Sequence, residues 1–279
     1  DENAIFYDES CTYSDNIFFV PTEYTSIQNA IFFASDGDTI RVASGIYYEN
    51  INFNGKNIAV IGEDRETTII DGNMENRVVQ ISDVAVSSSL SGFTITNGEG
   101  GLLITNSSVN LSSLLIFNNG SYNPNNQDVY TSEGGGLKAT NSQLIINDCE
   151  FSHNKAVFGG AIYINSTDAQ LTNLTFAYNI GYPSSLSIIE NNTIDIDHCT
   201  FYRNDSQNHN ESTIWWEILY GSSNQISIIN SIYSKSLNSI ASEFHVGGFL
   251  GENVHYSGTG NTISVSYSFF TRLYEGFFD

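Results

Sequence analysis

A chain of 279 residues with 31 acidic and only nine basic side chains has a formal net charge of −22 at pH 7. That balance argues against nucleic acid and anionic membranes as partners, because phosphate groups require basic patches. The acidic charge is compatible with calcium binding or with solubility through self-repulsion. No cofactor is expected, and no metal-binding residues are identified. No apolar run is long enough to cross a membrane, so membrane insertion is not expected.

The N-terminal extension, residues 1–24, contains two apolar clusters, Ile5–Tyr7 and Ile17–Val20. Either these clusters fold back along their own domain, or one of them adds as a strand to a neighbouring molecule. The chain starts at Asp1, which fits a secreted protein after signal removal, although an internal starting point would look the same. We therefore expect a secreted, extracellular or cell-surface protein.

An amphipathic helix is predicted at about residues 25–35. Four apolar residues share one face of it: Ile27, Ala30, Ile31 and Ala34. Thr25 or Ser26 can cap its start, and Gly37 can end it. The helix would cover the open end of the domain formed by residues 25–279, where unpaired strand edges would otherwise be exposed.

The rest of this domain repeats a short pattern, with successive copies of 25 residues between positions 151 and 201. An aromatic or aliphatic slot recurs at Ile95, Ile116, Phe151, Phe176, Phe201, Tyr233 and Phe270. Five residues earlier, an apolar residue recurs at Leu90, Leu111, Ile146, Leu171, Ile196, Ile228 and Val265. Three residues after the slot, asparagine recurs at Asn119, Asn154, Asn179 and Asn204. The alternation predicts short strands with one buried face, and the asparagines predict a ladder of stacked amides.

A second strand precedes several copies and starts with paired glycines, in Gly100–Asn106, Gly135–Asn141 and Gly159–Asn165. Paired glycines fit a sharp corner that has no room for a side chain. Two strands and two turns in so short a period leave no space for a helical crossover. The strands must therefore wind around one axis. This predicts an all-β right-handed parallel β-helix solenoid with an N-terminal amphipathic capping helix, and a sandwich of hairpins is disfavoured.

Two families resemble parts of this sequence. Thr25–Val42 and Gly45–Ile51 resemble the start of a pectate-lyase-like right-handed β-helix, which implies a capping helix followed by the first strand. The Gly-Gly-Ala-Ile motif at Gly159–Ile162 and the Phe-x-x-Asn motif at Phe151–Asn154 resemble the repeats of chlamydial polymorphic membrane proteins. Those proteins are surface adhesins, so the second resemblance implies a place on a cell surface.

The three cysteines are not predicted to form an internal disulfide. Cys149 and Cys199 fill the same slot in coils two apart, with Leu174 between them. Stacked strands would separate them by about 10 Å, which is too far for a disulfide. We interpret them as small core residues. Cys11 is left over, either free or paired between chains.

Eight Asn-x-Ser/Thr sequons suggest a glycoprotein. Four of them fall at expected outward or turn positions and are the candidates for glycosylation: Asn106, Asn165, Asn173 and Asn210. Asn119 and Asn204 belong to the predicted inner ladder and should be protected.

Two sets of outward residues are candidate sites. Asp195 and Asp197 on one strand would lie roughly 7 Å apart, within the range of an inverting glycosidase pair, and His198 follows them. No second acid-rich row adjoins the pair, and the pectin-hydrolase motifs Asn-Thr-Asp, Gly-His-Gly and Arg-Ile-Lys are absent. They are therefore interpreted as a solvated strand face and, only if the protein is an enzyme, as catalytic. A second set aligns outward at His153, Tyr178 and Arg203; these are interpreted as ordinary exposed residues or, alternatively, as a sugar-binding strip.

The two ends of the chain suggest contacts between molecules. The aromatic C-terminus, Phe269–Asp279, lacks a capping helix, and an uncapped last coil favours end-to-end stacking. Candidate interface residues are Ile5, Phe6, Tyr7, Phe18, Phe19, Trp215, Trp216, Phe269 and Phe270. The favoured function is a non-catalytic structural or adhesive protein, such as a filament subunit that self-associates end to end. The alternatives are a polysaccharide-active enzyme, either a glycoside hydrolase or a lyase, and a carbohydrate-binding module on the β-helix face.

Overall fold

The computed structural model describes residues 16–120, 133–181, 185–204, 214–215, 224–234, 262–266 and 269–271. Apart from one short helix, the regular structure in these residues consists of strands in three parallel sheets. In sheet A the order is β1 (Ile17–Val20), β2 (Thr39–Val42), β5 (Ala59–Gly62), β8 (Ser88–Ser91), β11 (Ser108–Ser112), β14 (Gln143–Asn147), β17 (Asp168–Thr172), β20 (Thr193–Asp197), β23 (Gln225–Ile229) and β25 (Thr262–Ser266).

Sheet B contains β3 (Gly45–Tyr48), β6 (Thr68–Asp71), β9 (Thr94–Thr96), β12 (Leu115–Phe117), β15 (Glu150–Ser152), β18 (Thr175–Ala177), β21 (Thr200–Tyr202), β24 (Ile232–Ser234) and β26 (Phe269–Thr271). Sheet C contains β4 (Ile51–Asn52), β7 (Arg77–Ser82), β10 (Gly100–Thr105), β13 (Leu137–Thr140), β16 (Ile162–Asn165), β19 (Leu186–Ile188) and β22 (Ile214–Trp215). Because each strand pairs with its counterpart one coil away, the chain winds through A, B and C in turn. The predicted right-handed parallel β-helix is confirmed.

The predicted slots align in register and form the core. In sheet B, Ile116 pairs with Phe151, Phe151 with Phe176, and Phe176 with Phe201. These four side chains are fully buried, and the rings of Phe176 and Phe201 are nearly parallel at a centroid distance of 4.6 Å. The core is therefore continuous along the axis, because every coil places its apolar residues directly above those of the coil before.

The predicted asparagine ladder forms inside the turn after sheet B. In each step, the side-chain oxygen of one asparagine accepts from the backbone N–H of the asparagine one coil earlier, at 3.0–3.1 Å for Asn119, Asn154 and Asn179. Each side-chain NH₂ group also donates to a backbone carbonyl; that of Asn154 reaches Ile116 at 2.8 Å. The ladder thus satisfies buried peptide groups that have no strand partner.

A second buried ladder lies in the turn after sheet C. In each step, a side-chain hydroxyl or amide oxygen accepts a hydrogen bond from a backbone N–H one coil earlier. The side chains that supply these oxygens are Ser107, Ser142, Thr167, Asn192 and Asn224. The hydrogen bond from Thr167 to Asn192 is 2.8 Å long, and that from Asn192 to Asn224 has the same length. Two of the three corners of the solenoid are therefore stabilised by inward polar side chains.

The helix α1 (Ile27–Phe33) is held by polar groups at both ends. Ser26 is its N-cap, and the Glu49 carboxylate accepts from the first two backbone N–H groups, both at 2.9 Å. The Lys56 ammonium donates to the last carbonyl groups, those of Ile31, Phe32 and Ala34. A negative charge at the N-terminus and a positive charge at the C-terminus both stabilise a helix dipole.

This helix packs against the first strands of the solenoid. Ile27, Ala30 and Ile31 are buried, and the side chain of Gln28 both donates to and accepts from the backbone of Asn52 on β4. It thereby satisfies peptide groups on the edge strand of sheet C. The helix is shorter than the predicted residues 25–35, because the backbone is already extended at Ala34.

The apolar cluster Ile17–Val20 lies along its own solenoid. It forms β1 and pairs in parallel with β2, which is one of the two alternatives left open by the sequence. Phe18 packs against the core, and its ring is 5.3 Å from that of Tyr24. Ile5, Phe6 and Tyr7 lie outside the described residues.

Arg77 is a partly buried cation that joins neighbouring coils. Its guanidinium passes beside Gly100, where any Cβ would lie 2.5 Å from it. It donates to three carbonyl oxygens, those of Leu102, Glu133 and Gly134. Burial lowers the pKa of Arg77 to about 10, so the side chain remains charged at neutral pH and serves as a structural link.

Cys149 and Cys199 are free, buried thiols, as predicted. Burial raises the pKa of each to about 12, so the reactive thiolate is scarce at mildly alkaline pH. Cys11 lies outside the described residues.

We expect a Cys11→Ser variant to react with a thiol reagent only after denaturation, as followed by absorbance. Full labelling of the native protein within minutes would contradict the buried positions.

Candidate functional site

The predicted carboxylate pair lies on the outer face of sheet A, on strand β20. Asp195 and Asp197 point outward because they alternate with the buried residues Ile194 and Ile196. Asp195 is exposed and lies in register with Gln170 and Ser227 on the adjoining strands. Residues two apart on a strand are separated by roughly 7 Å, so the pair has the spacing expected from the sequence.

The two carboxylates have different surroundings. Asp197 is partly exposed, and its Oδ1 lies 2.8 Å from Nδ1 of His198 and accepts from the side-chain amide of Asn230 at 3.0 Å. His198 follows β20 in a left-handed backbone conformation, with a φ of 52°, which turns its side chain back towards Asp197. One carboxylate is therefore fixed by two neighbours, whereas Asp195 is open to solvent.

The second predicted set forms part of a longer row at the end of sheet B. We define the aromatic strip as Phe117, His153, Tyr178, Tyr202 and Arg203. Successive ring centroids are 5.3, 5.0 and 5.6 Å apart, and the Arg203 guanidinium lies 5.2 Å from the centroid of the Tyr202 ring. The strip therefore extends across four coils as a continuous contact.

Two kinds of position supply the strip. His153, Tyr178 and Arg203 occupy the first residue of the turn after sheet B, each with a positive φ. Phe117 and Tyr202 lie in the outward column of sheet B, where Ser152 and Ala177 stand between them. Phe117 and Tyr202 were missed from the sequence. The signal that could have found them is their place directly after the core slot residues Ile116 and Phe201.

The structure does not bring the carboxylate pair and the strip together. The pair belongs to sheet A and the strip to the far end of sheet B, with the His198 corner between them. Within the described residues, no group of three or more His, Cys, Asp or Glu side chains is placed to hold a metal ion. No helix among these residues is long and apolar enough to span a bilayer.

The glycosylation candidates differ in exposure. Asn106 and Asn173 are exposed in turns, whereas Asn165 is only partly exposed and Asn210 lies outside the described residues. Asn119 and Asn204 are buried. Glycosylation of the first three sites and secretion of the protein stay predictions.

Several predicted interface residues occupy strands of the solenoid. Phe19 is exposed on β1, Trp215 belongs to β22, and Phe269 and Phe270 belong to β26, which pairs with β24. Trp216 lies outside the described residues. Association of molecules through these residues stays a prediction.

Comparison with known proteins identifies the fold. No family model matches the chain. Metabotropic glutamate receptor-like protein R of Dictyostelium discoideum is 38% identical over 72 residues, which are 25% of this chain and 4% of that protein. The chain therefore spans only a small fraction of the length of this relative.

Solved structures match over far more of the chain. An alginate lyase from Paenibacillus sp. str. FPU-7 has a TM-score of 0.50 and 10% identity, covering 91% of this chain and 97% of that one. A pectin methylesterase in complex with a hexasaccharide has a TM-score of 0.46 and 14% identity, covering 83% and 68%. Pectin methylesterase from carrot has a TM-score of 0.42 and 12% identity, covering 95% and 90%. None of them bears on the resemblance to chlamydial repeats, which stays a prediction.

The non-catalytic structural or adhesive role favoured from the sequence is contradicted by these neighbours, and so is the expectation that the protein is not an enzyme. A solved chain that matches over 91% of this chain and 97% of its own length is named an alginate lyase. The expectation rested on the missing pectin-hydrolase motifs, and a fold shared at 10% identity does not require shared motifs. What the comparison establishes is the architecture: this chain is a right-handed parallel β-helix.

Proposed function

We propose that the protein is an enzyme that cleaves a polysaccharide by hydrolysis, with Asp195 and Asp197 as its acid and base. The observation that carries the proposal is the unequal pair on β20: Asp197 is held by His198 and Asn230, and Asp195 is exposed on the same face two residues earlier, at a backbone separation of roughly 7 Å. Inverting hydrolysis requires such a spacing, because a water molecule must fit between the base and the sugar.

The two carboxylates take separate roles in this reaction. Asp197, held in one orientation, accepts a proton from water as the water oxygen bonds to the anomeric carbon. Asp195 donates its proton to the glycosidic oxygen as the bond between that oxygen and the anomeric carbon breaks. Asp197 gains one proton and Asp195 loses one, so proton exchange with solvent returns both carboxyl groups to their starting states.

The protein should release reducing ends from at least one member of a panel of neutral and acidic polysaccharides. Asp195→Asn and Asp197→Asn should each lower that rate by about 10²-fold or more, since acid–base groups contribute on this scale. Asp168→Asn is the matched control, because Asp168 is an exposed acid on the neighbouring strand β17 of the same sheet. Circular dichroism would verify that all three variants fold.

Two outcomes would exclude this mechanism. Products with unsaturated, ultraviolet-absorbing ends would indicate a lyase rather than a hydrolase. Equal activity of the Asp195→Asn, Asp197→Asn and Asp168→Asn variants would remove the pair from the chemistry altogether.

A further inference from the structure

The aromatic strip has no role in the carboxylate chemistry, yet it is exposed. Phe117 and Tyr178 keep 38% and 39% of their surface accessible. Apolar side chains of this size usually bury most of their surface, and exposed patches of them commonly mark binding sites. A continuous row of such rings beside a solvated turn is therefore a candidate binding surface.

The arrangement of the strip fits a linear chain of sugar rings. Its four rings come from four successive coils, so the row runs along the β-helix axis, with successive ring centroids 5.0–5.6 Å apart. His153 and Tyr178 stack on each other at an interplanar angle of 24°, whereas Phe117 and Tyr202, one position earlier in their coils, meet them edge to face. A polysaccharide presents one pyranose ring after another at a comparable repeat. Each sugar offers apolar C–H groups to an aromatic ring and hydroxyl groups to a polar neighbour.

The chemistry of the strip favours a glycan over an apolar protein surface. Three of its four rings carry polar atoms, namely the imidazole of His153 and the hydroxyl groups of Tyr178 and Tyr202, and Arg203 closes one end. Such groups can donate to or accept from sugar hydroxyl groups while their rings stack. An apolar partner would leave these polar atoms without hydrogen bonds and would lose free energy.

The charge of the protein favours an uncharged glycan. Several described cations already serve the fold: Arg77 donates to three backbone carbonyls, Lys56 caps α1, and Lys138 pairs with Glu133 at 2.5 Å. The whole chain carries a net charge of −22. That field repels a polyanion at low salt, whereas it does not affect a neutral polysaccharide.

We propose that the aromatic strip binds a neutral polysaccharide, with the sugar chain lying along the β-helix axis. This site is separate from the carboxylate pair and does not depend on hydrolysis by Asp195 and Asp197.

The test measures the affinity of soluble xyloglucan, mixed-linkage glucan, galactomannan, polygalacturonate and alginate by affinity electrophoresis and calorimetry. Tyr178→Asn and Phe117→Ser replace each ring by the residue type found in the same column, at Asn118 and Ser152, so that the backbone is preserved. We expect at least one neutral glycan to bind, and each substitution to raise its Kd roughly three- to tenfold.

Phe32→Ala is the control, because Phe32 is an exposed aromatic residue on α1, away from the strip. It should leave the Kd unchanged. An Asp195→Asn variant should bind as the unmodified protein does, which separates failure of this proposal from failure of the hydrolase mechanism.

Three results would overturn the proposal: retention of no glycan, binding of the two uronate polymers alone, or an equal effect of Phe32→Ala. A change in oligomeric state on Tyr178→Asn, without any change in glycan affinity, would assign the strip to a protein interface instead.

Discussion

Replacing Asn179 by alanine is expected to lower the free energy of unfolding by about 3 kcal/mol or more. The side chain is fully buried and makes four hydrogen bonds within the ladder. Without it, the backbone N–H of Asn154 would remain buried with no hydrogen-bond partner, and the side-chain amides of Asn154 and Asn204 would each lose a hydrogen bond. Unfolding in guanidinium chloride, followed by circular dichroism, measures the change.

Asn110→Ala is the control for this prediction. Asn110 is an exposed asparagine that points outward from β11, so the same change of residue type removes no buried hydrogen bond. We expect its effect to stay within about 0.5 kcal/mol, as for ordinary surface positions. If the two variants lost similar amounts of stability, the ladder would be a consequence of the fold and not a support for it.

Phe176→Ala is expected to cost about 3–5 kcal/mol of stability. The ring is fully buried between Phe151 and Phe201, with interplanar angles of 14° and 8°. Its stabilisation comes mainly from burial, because a stacked aromatic pair adds only about 0.5–1.5 kcal/mol beyond the area that it buries. The cavity left by alanine would lie inside a rigid stack of coils, which limits relaxation.

A milder substitution at the same position separates volume from aromaticity. Ile116 fills this slot in an earlier coil, so the solenoid already accepts an aliphatic residue there. Phe176→Leu should therefore lose clearly less stability than Phe176→Ala in the same unfolding experiment. Equal losses would mean that ring stacking, and not filled volume, stabilises the core.

The fold was predictable because its signal is local and repeats. In a parallel solenoid, alternation within one strand shows which residues are buried, and the repeat length shows which residues pair. The register of Phe151, Phe176 and Phe201 follows from these two facts, and the structure confirms it. The asparagine ladder was predictable for the same reason, since one residue type marks each step.

The second ladder was not predictable in the same way, because its steps use three residue types. Ser142, Thr167 and Asn192 all present an oxygen to the coil before, yet they share no single letter in the sequence. The residues at these equivalent positions share a side-chain oxygen, but they do not share a residue type.

The candidate site was predictable only in part. The outward direction of Asp195 and Asp197 follows from alternation. The contact of Asp197 with Asn230 does not, because a connection of variable length separates those coils and alternation carries no information about side-chain rotamers. The strip was longer than expected because large and small residues alternate irregularly in the outward column of sheet B, so Phe117 and Tyr202 have no periodic signal.

The corners of the solenoid differ in how they accommodate length. From β8 onward, each connection from sheet A to sheet B in the described strands has two residues, as at Asp148 and Cys149. The connections from sheet B to sheet C are longer and unequal, as at residues 118–136 and 153–161. An insertion between sheets A and B would shift the register of the following strands, whereas one between sheets B and C leaves the strands in place. We therefore expect insertions to be tolerated at the corner between sheets B and C, the one that borders the aromatic strip, where an added loop can change the surface around the strip without moving the strands.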